Sequence, residues 1–208
     1  MKAKPVKIRT LIRERRISPM SPVVLASEKL EINWLPLFND EYVYGPTPGI
    51  IEAADAVLSE LKPRTVIDLF GGSGALSKLA LMRGARKVIY VDSYPEAAKR
   101  NLRDLPEIEI VKEDAFKFLE SDTSCDVLIA DPPEELIDPL LRRVRRIREI
   151  AAKAALMWIG PSNKSVHRRR RLSGFRMTKL LEAWGDCFAL LWKPGLREKV
   201  ENVKRLLG

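Results

Sequence analysis

Residues 65–75, Thr-Val-Ile-Asp-Leu-Phe-Gly-Gly-Ser-Gly-Ala, constrain the fold more than any other stretch of the chain. A short apolar run, Val66-Ile67, ends in Asp68. Gly71, Gly72 and Gly74 then form a turn, and a helical pattern begins at Ala75. This reads as strand, tight turn, helix. Glycine lets the backbone take positive φ and lets a ligand approach the main chain closely. The helix that follows offers unpaired N–H groups and a positive dipole end. Turns of this kind bind nucleotides in doubly wound α/β folds, although a plain strand-to-helix connection can look the same.

Three later stretches sharpen the reading. Val88-Ile89-Tyr90-Val91-Asp92 is a second apolar strand closed by an acid, about 24 residues after Asp68, where a carboxylate can bind ribose hydroxyls. Glu109-Ile110-Val111-Lys112-Glu113-Asp114-Ala115 gives a third strand-and-acid pair. Asp126-Val127-Leu128-Ile129-Ala130-Asp131-Pro132-Pro133 gives a fourth, closed by Asp-Pro-Pro. A dinucleotide fingerprint would need a third glycine in the spacing G-x-G-x-x-G, and Leu76 and Ser77 occupy that region instead.

With these motifs in hand, the chain resembles the class I S-adenosylmethionine (SAM)-dependent methyltransferases. It is most similar among them to the small-subunit rRNA guanine-N2 methyltransferases. The matching stretches are Pro46-Thr47-Pro48, Asp68 through Leu76, Arg83-Gly84-Ala85, Asp131-Pro132-Pro133 and Trp184-Gly185-Asp186, within roughly residues 44–193. The resemblance implies an α/β, Rossmann-like, seven-stranded mixed sheet with helices on both faces and a C-terminal antiparallel hairpin. It implies SAM as cofactor, held by Asp68, Phe70, Gly71, Gly72, Gly74, Asp92, Ser93, Asp114, Ala115 and Asp131. Asp131, Pro132 and Pro133 are the implied catalytic group. An exocyclic amine is a poor nucleophile because its lone pair is delocalised. The Asp131 carboxylate and the Pro132 carbonyl can accept its protons, and proline brings no competing N–H.

One position departs from that family's pattern. The aromatic residue expected directly after the two prolines, to stack on a base, is replaced by Glu134, followed by Glu135. Stacking contributes about 1–3 kcal/mol per base. Either Phe175 or Tyr44 stacks instead, or the acceptor is an amine on a protein side chain or small molecule, which two acids would suit. A third reading is an RNA-binding protein that keeps the fold without catalysis.

The 208 residues suit one α/β domain, and 46% hydrophobic with 31% charged residues are the proportions of a soluble globular chain. No apolar stretch is long enough to span a bilayer, and the basic N-terminus lacks the apolar core of a secretory signal. Cys125 and Cys187 form neither a metal-ligand cluster nor a disulfide framework. Buried thiols, no bound metal and a cytoplasmic location are therefore expected. The net charge of +9 is uneven, with bases clustered in the N-terminal arm, in 142–148 and in 164–176. One-signed clusters favour a polyanion partner, RNA, over a surface of interleaved ion pairs. The phosphate-contacting candidates are Lys164, His167, Arg168, Arg169, Arg170 and Arg171, read as a basic loop over 162–174.

The chain divides into a basic arm and packing segment, 1–43, and, as the resemblance implies, a SAM-dependent methyltransferase domain, 44–208. Helices are predicted over 50–61, capped by Thr47 with Pro48 first, over 76–82 and over 94–102, with a helical turn at 115–119. A further helix is expected over 134–150, interrupted near Pro139, and a fifth strand over 154–159. A hairpin turning at Gly185-Asp186 and a docking helix from Leu196 to Leu207 complete the chain.

Overall fold

The computed structural model describes residues 46–173 and 175–208; the basic arm and Tyr44 lie outside the described residues. The apolar runs become strands β1 (Thr65–Leu69), β2 (Lys87–Asp92), β3 (Ile108–Lys112), β4 (Cys125–Ala130), β5 (Ala151–Pro161), β6 (Thr178–Ala183) and β7 (Asp186–Trp192). They pair in the order β3-β2-β1-β4-β5-β7-β6. The first five are parallel, and β7 runs antiparallel to both β5 and β6. β1 and β4 are buried on both faces, as continuous apolar strands in a covered parallel sheet must be.

Helices α1 (Pro48–Leu61), α2 (Ala75–Met82), α3 (Glu96–Asn101) and α8 (Arg197–Leu207) contribute Ile50, Leu79, Ala98 and Val203 to the core on one face of the sheet. Helices α4 (Ala115–Phe118), α5 (Ile137–Leu141), α6 (Val144–Ile150) and α7 (Val166–Ser173) contribute Phe118, Leu140, Ile147 and Leu172 to the core on the other. Cys125 and Cys187 are buried free thiols. No described helix is long and apolar enough to cross a membrane.

α1 begins as its sequence dictates. Pro48 occupies the first turn, where its missing N–H costs nothing. The Thr47 hydroxyl accepts from the Ile50 N–H at 3.3 Å and donates to Asp186 Oδ2 at 2.7 Å. Thr47→Ala removes both links and is expected to lower stability by about 1–2 kcal/mol. A urea midpoint unchanged from the parent would show that the cap contributes nothing.

Four boundaries differ from expectation. Pro139 sits inside the first turn of α5, where the orphan N–H is not needed, and the break falls instead at Arg142-Arg143. β5 is longer than 154–159 because β4 and β7 both pair along it. Residues 166–173, expected as loop, form α7, since buried Leu172 and Arg168 give that run an inward face four residues apart. The hairpin turns at Trp184-Gly185, not Gly185-Asp186. Both turn residues have positive φ, 58° and 82°, as the primed two-residue turn requires.

Candidate cofactor and acceptor site

The sheet order reverses at β1, which has β2 on one side and β4 on the other, so a crevice opens beyond the C-terminal ends of these strands. Leu69 pairs with Val91 and with Ala130. The next residue on each strand, Phe70, Asp92 and Asp131, therefore reaches the same edge. Asp114 follows two residues after the end of β3 on that edge. The structure thus brings together all four acids expected at the site.

The glycine turn is held chiefly by β2. A Cβ on Gly71 would lie 2.3 Å from the Tyr90 ring, and Gly74, at φ 82°, has the Leu102 side chain 2.6 Å from where its Cβ would be. These two glycines let the turn settle on its own core. The Tyr90 hydroxyl donates to the Gly72 carbonyl at 2.7 Å, and the Gly72 N–H donates to Asp92 Oδ2 at 3.0 Å. Asp92 Oδ1 accepts the Tyr94 N–H at 2.8 Å, which leaves Ser93 half-buried between them. Phe70 holds φ 63°, costly for an aromatic residue, and its ring meets Phe116 edge-on with centroids 5.9 Å apart.

Asp68 is fully buried, and its Oδ2 accepts from the Ser77 hydroxyl at 2.6 Å. Its Oδ1 and the buried Ser73 hydroxyl have no partner among the described residues. Two orphaned polar atoms in a ligand crevice call for an external donor. The ammonium group of SAM would meet that demand at the Asp68 carboxylate, so the residues present fit the expected cofactor. Asp114 caps α4, its Oδ1 accepting from Phe116 and Lys117 N–H at 2.9 and 3.0 Å. Its other oxygen faces no partner from that cap, and the Ala115 N–H heads the helix, where no intrahelical acceptor exists. An acceptor beside a donor is what an adenine edge requires.

Asp131 is half-buried at the end of β4. Burial, reinforced by the charges of Asp68 and Asp186, raises its pKa to about 7. Burial raises that of Asp68 to about 6, against the hydrogen bonds from Ser77. Asp186 is a site residue that spacing alone gave no role. It starts β7 at the same edge, accepting the Trp158 indole N–H at 3.0 Å as well as the Thr47 hydroxyl.

The raised values set a pH dependence. Asp68 and Asp131 keep protons in the folded chain at pH values where the unfolded chain has released them. Without ligand, their contribution to stability falls as pH rises from about 4 to about 7. A cationic ligand favours the ionised acids, so the increase in Tm produced by SAM should be larger at pH 8 than at pH 5. A SAM-induced shift independent of pH would contradict this electrostatic assignment.

The six basic candidates do not act together. Arg168 is only 7% exposed, with Nη2 3.1 Å from Asp138 Oδ2 and Nη1 3.2 Å from the Ile159 carbonyl. It is therefore a structural arginine rather than a surface phosphate contact. Arg169 pairs with Glu182, and Lys164 Nζ lies 3.9 Å from Glu134. His167 faces Asp138 at 3.7 Å. Arg170 and Arg171 are exposed and make no ion pair among the described residues. Phe175, one of the two proposed stacking residues, packs against the α4–α7 core. The missed partners, Tyr90 and Trp158, look like ordinary strand aromatics in the sequence; only their polar atoms, which need partners when buried, hinted at more.

The model of the family described as Conserved hypothetical protein 95 matches residues 46–178. Ribosomal RNA large subunit methyltransferase I of Pseudoalteromonas translucida is 37% identical over 129 residues, covering 56% of this chain and 32% of that protein. The chain thus spans about a third of that curated relative. Among solved structures, a protein from Streptococcus mutans named as a SAM-dependent methyltransferase aligns with TM-score 0.62 and 16% identity, covering 84% of this chain and 56% of that one. A SAM-dependent methyltransferase from Agrobacterium tumefaciens aligns with TM-score 0.56 and 23% identity, covering 78% and 68%. At these identities the likeness shows the fold. The ribosomal relative is by name a large-subunit enzyme, whereas the motif resemblance pointed to small-subunit guanine-N2 enzymes.

Proposed function

From the premise that the chain belongs to the family described as Conserved hypothetical protein 95, we propose that it is a SAM-dependent methyltransferase acting on an exocyclic amino group of a base in structured RNA. SAM, when bound, supplies an electrophilic methyl group for in-line transfer. Asp92 would accept from the ribose hydroxyls, Asp114 and Ala115 would meet the adenine edge, and Asp68 would take the ammonium group. Phe70 and the Gly72 main chain would border the methionine part, Gly71 and Gly74 hold the turn on its core, and Ser93 would lie beside the ribose. The ribosomal relative supports an RNA acceptor. It does not carry the small-subunit assignment, so the acceptor is framed as a base amine.

The observation that carries this reading is Asp131. It stands at the end of β4, level with Asp92, with a pKa of about 7. Its carboxylate can accept an amino proton as the nitrogen becomes cationic, and the Pro132 carbonyl can accept a second. Pro133, with φ −52° and ψ 149°, holds the chain extended as it leaves the site. A protein side chain or small amine is the second reading, favoured by exposed Glu134 and Glu135 and by the packing of Phe175 into the core. A non-catalytic RNA-binding role fits less well, because it leaves the raised Asp131 and the orphaned Asp68 Oδ1 without purpose. RNA as partner accords with a cytoplasmic enzyme.

Incubation with methyl-labelled SAM and host RNA, with and without ribonuclease, tests the reading. Label in nuclease-sensitive material is expected. Label in protein or small molecules would select the second reading, and salt-sensitive RNA binding with no affinity for SAM would select the non-catalytic one.

A further inference from the structure

The two faces of the sheet differ in charge. Helices α1, α2, α3 and α8 carry seven Lys or Arg and six Asp or Glu, whereas α4, α5, α6 and α7 carry eight and two. Ion pairing sharpens the contrast. Arg143 pairs with Glu120 and Arg146 with Glu149, both at 3.1 Å, and Arg168 and Arg169 are taken by Asp138 and Glu182. Arg142, Arg145, Arg170, Arg171 and Arg176 are exposed, and none has an ion-pair partner among the described residues. They belong to neighbouring structure. α6 packs on β4 and β5, α7 on β6 at the far edge, and Arg148 Nη1 donates to the Arg176 carbonyl at 2.9 Å. That bond ties the end of α6 to the segment leaving α7.

Resting on the RNA reading above, we infer that the outer surface of α6, α7 and the residues flanking them is where this chain grips the phosphate backbone, through Arg142, Arg145, Arg170, Arg171 and Arg176. Every one of the five is arginine, whose planar fork matches phosphate in two hydrogen bonds. A merely solvated surface or a heat-stabilising network would interleave acids with these bases, as α8 does with Glu198 and Glu201. The arginine run at 168–171 is thus divided by the helix. Arg168 and Arg169 turn to Asp138 and Glu182 to hold α7 in place, and Arg170 and Arg171 face outward. The acids Glu134 and Glu135 follow Asp131-Pro132-Pro133 at the acceptor edge instead, so phosphate is held along the helical face, with Arg176 near the opposite edge of the sheet, just before β6 starts.

The test compares Arg142→Glu/Arg145→Glu/Arg171→Glu with a control, Lys199→Glu/Lys204→Glu, on exposed positions of α8 across the sheet. Binding of full-length protein to host ribosomal RNA is measured over a salt series, with SAM affinity as the check on folding. The triple variant is expected to bind roughly 10-fold or more weaker at 0.1 M salt, with a slope of log K against log salt shallower by about two to three contacts. The control should keep a near-parental slope. The milder pair Arg145→Gln/Arg171→Gln should show the same trend if the triple variant loses SAM binding. Parental RNA that is methylated, with triple variant and control bound alike, would overturn the surface assignment alone. A parent that methylates no RNA overturns the functional reading beneath it and the surface with it.

Discussion

Asp131→Asn is expected to lower methyl transfer by about 10²–10⁴-fold while leaving SAM affinity little changed. Asparagine keeps the shape of the side chain but cannot take a proton from an attacking amine. The parent carries the complementary signature. Asp131 must be ionised to act, and burial with two neighbouring acids raises its pKa to about 7. The kcat/KM should therefore rise with pH through the ionisation of Asp131 near neutrality. In the Asn variant that ionisation should vanish from the residual rate. Loss of turnover only in proportion to lost SAM binding would make Asp131 a cofactor contact alone. Full activity in the variant would remove it from the mechanism.

The raised value is a property of the neighbourhood rather than of the Asp-Pro-Pro motif. The charges of Asp68 and Asp186 act on Asp131 at one edge of the sheet, yet the three lie far apart in the chain. Strand-and-acid spacing in the sequence was enough to place Asp68, Asp92, Asp114 and Asp131 on a common edge, because parallel strands joined by right-handed crossovers put every strand end on the same side. Asp186 escaped that logic. It begins an antiparallel strand, so its acid stands at the N-terminal end of β7 and reaches the edge from the opposite chain direction. Its partners Thr47 and Trp158 could not be paired with it by spacing at all.

The basic stretch shows the converse. The sequence made its charge plain, but charge alone does not say which arginines face water. A run of four consecutive arginines resembles a solvated loop until its helical period is recognised, and with mean spacing near four residues only Arg168 and Leu172 share the inward face. The hairpin was legible for a different reason. Glycine and two flanking apolar runs located it, but which residues take positive φ depends on register. Register is set by pairing with β5, where Pro161 meets Asp186.

The buried arginine yields the second large prediction. Arg168→Ala is expected to destabilise the chain by about 3 kcal/mol, lowering Tm by roughly 6–12 °C. Two losses dominate. The Ile159 carbonyl, 3.2 Å from Nη1, loses a charged donor in a buried place, and the aliphatic stem leaves a gap beneath α7. The ion pair itself contributes less, because the Asp138 side chain is 41% exposed and water screens it. Arg168→Met, which keeps most of the stem, should fall between Ala and the parent. Asp138→Asn should cost well under half as much as Arg168→Ala. Arg168 holds the Asp138 carboxyl below its ordinary range, so the pair's own share is present near neutrality and fades on acidification through that depressed value. If Arg168→Ala melts with the parent yet weakens RNA binding, Arg168 is a phosphate contact after all. If it melts early and its RNA salt slope is unchanged, the arginine run is divided between structure and surface as the helix places it.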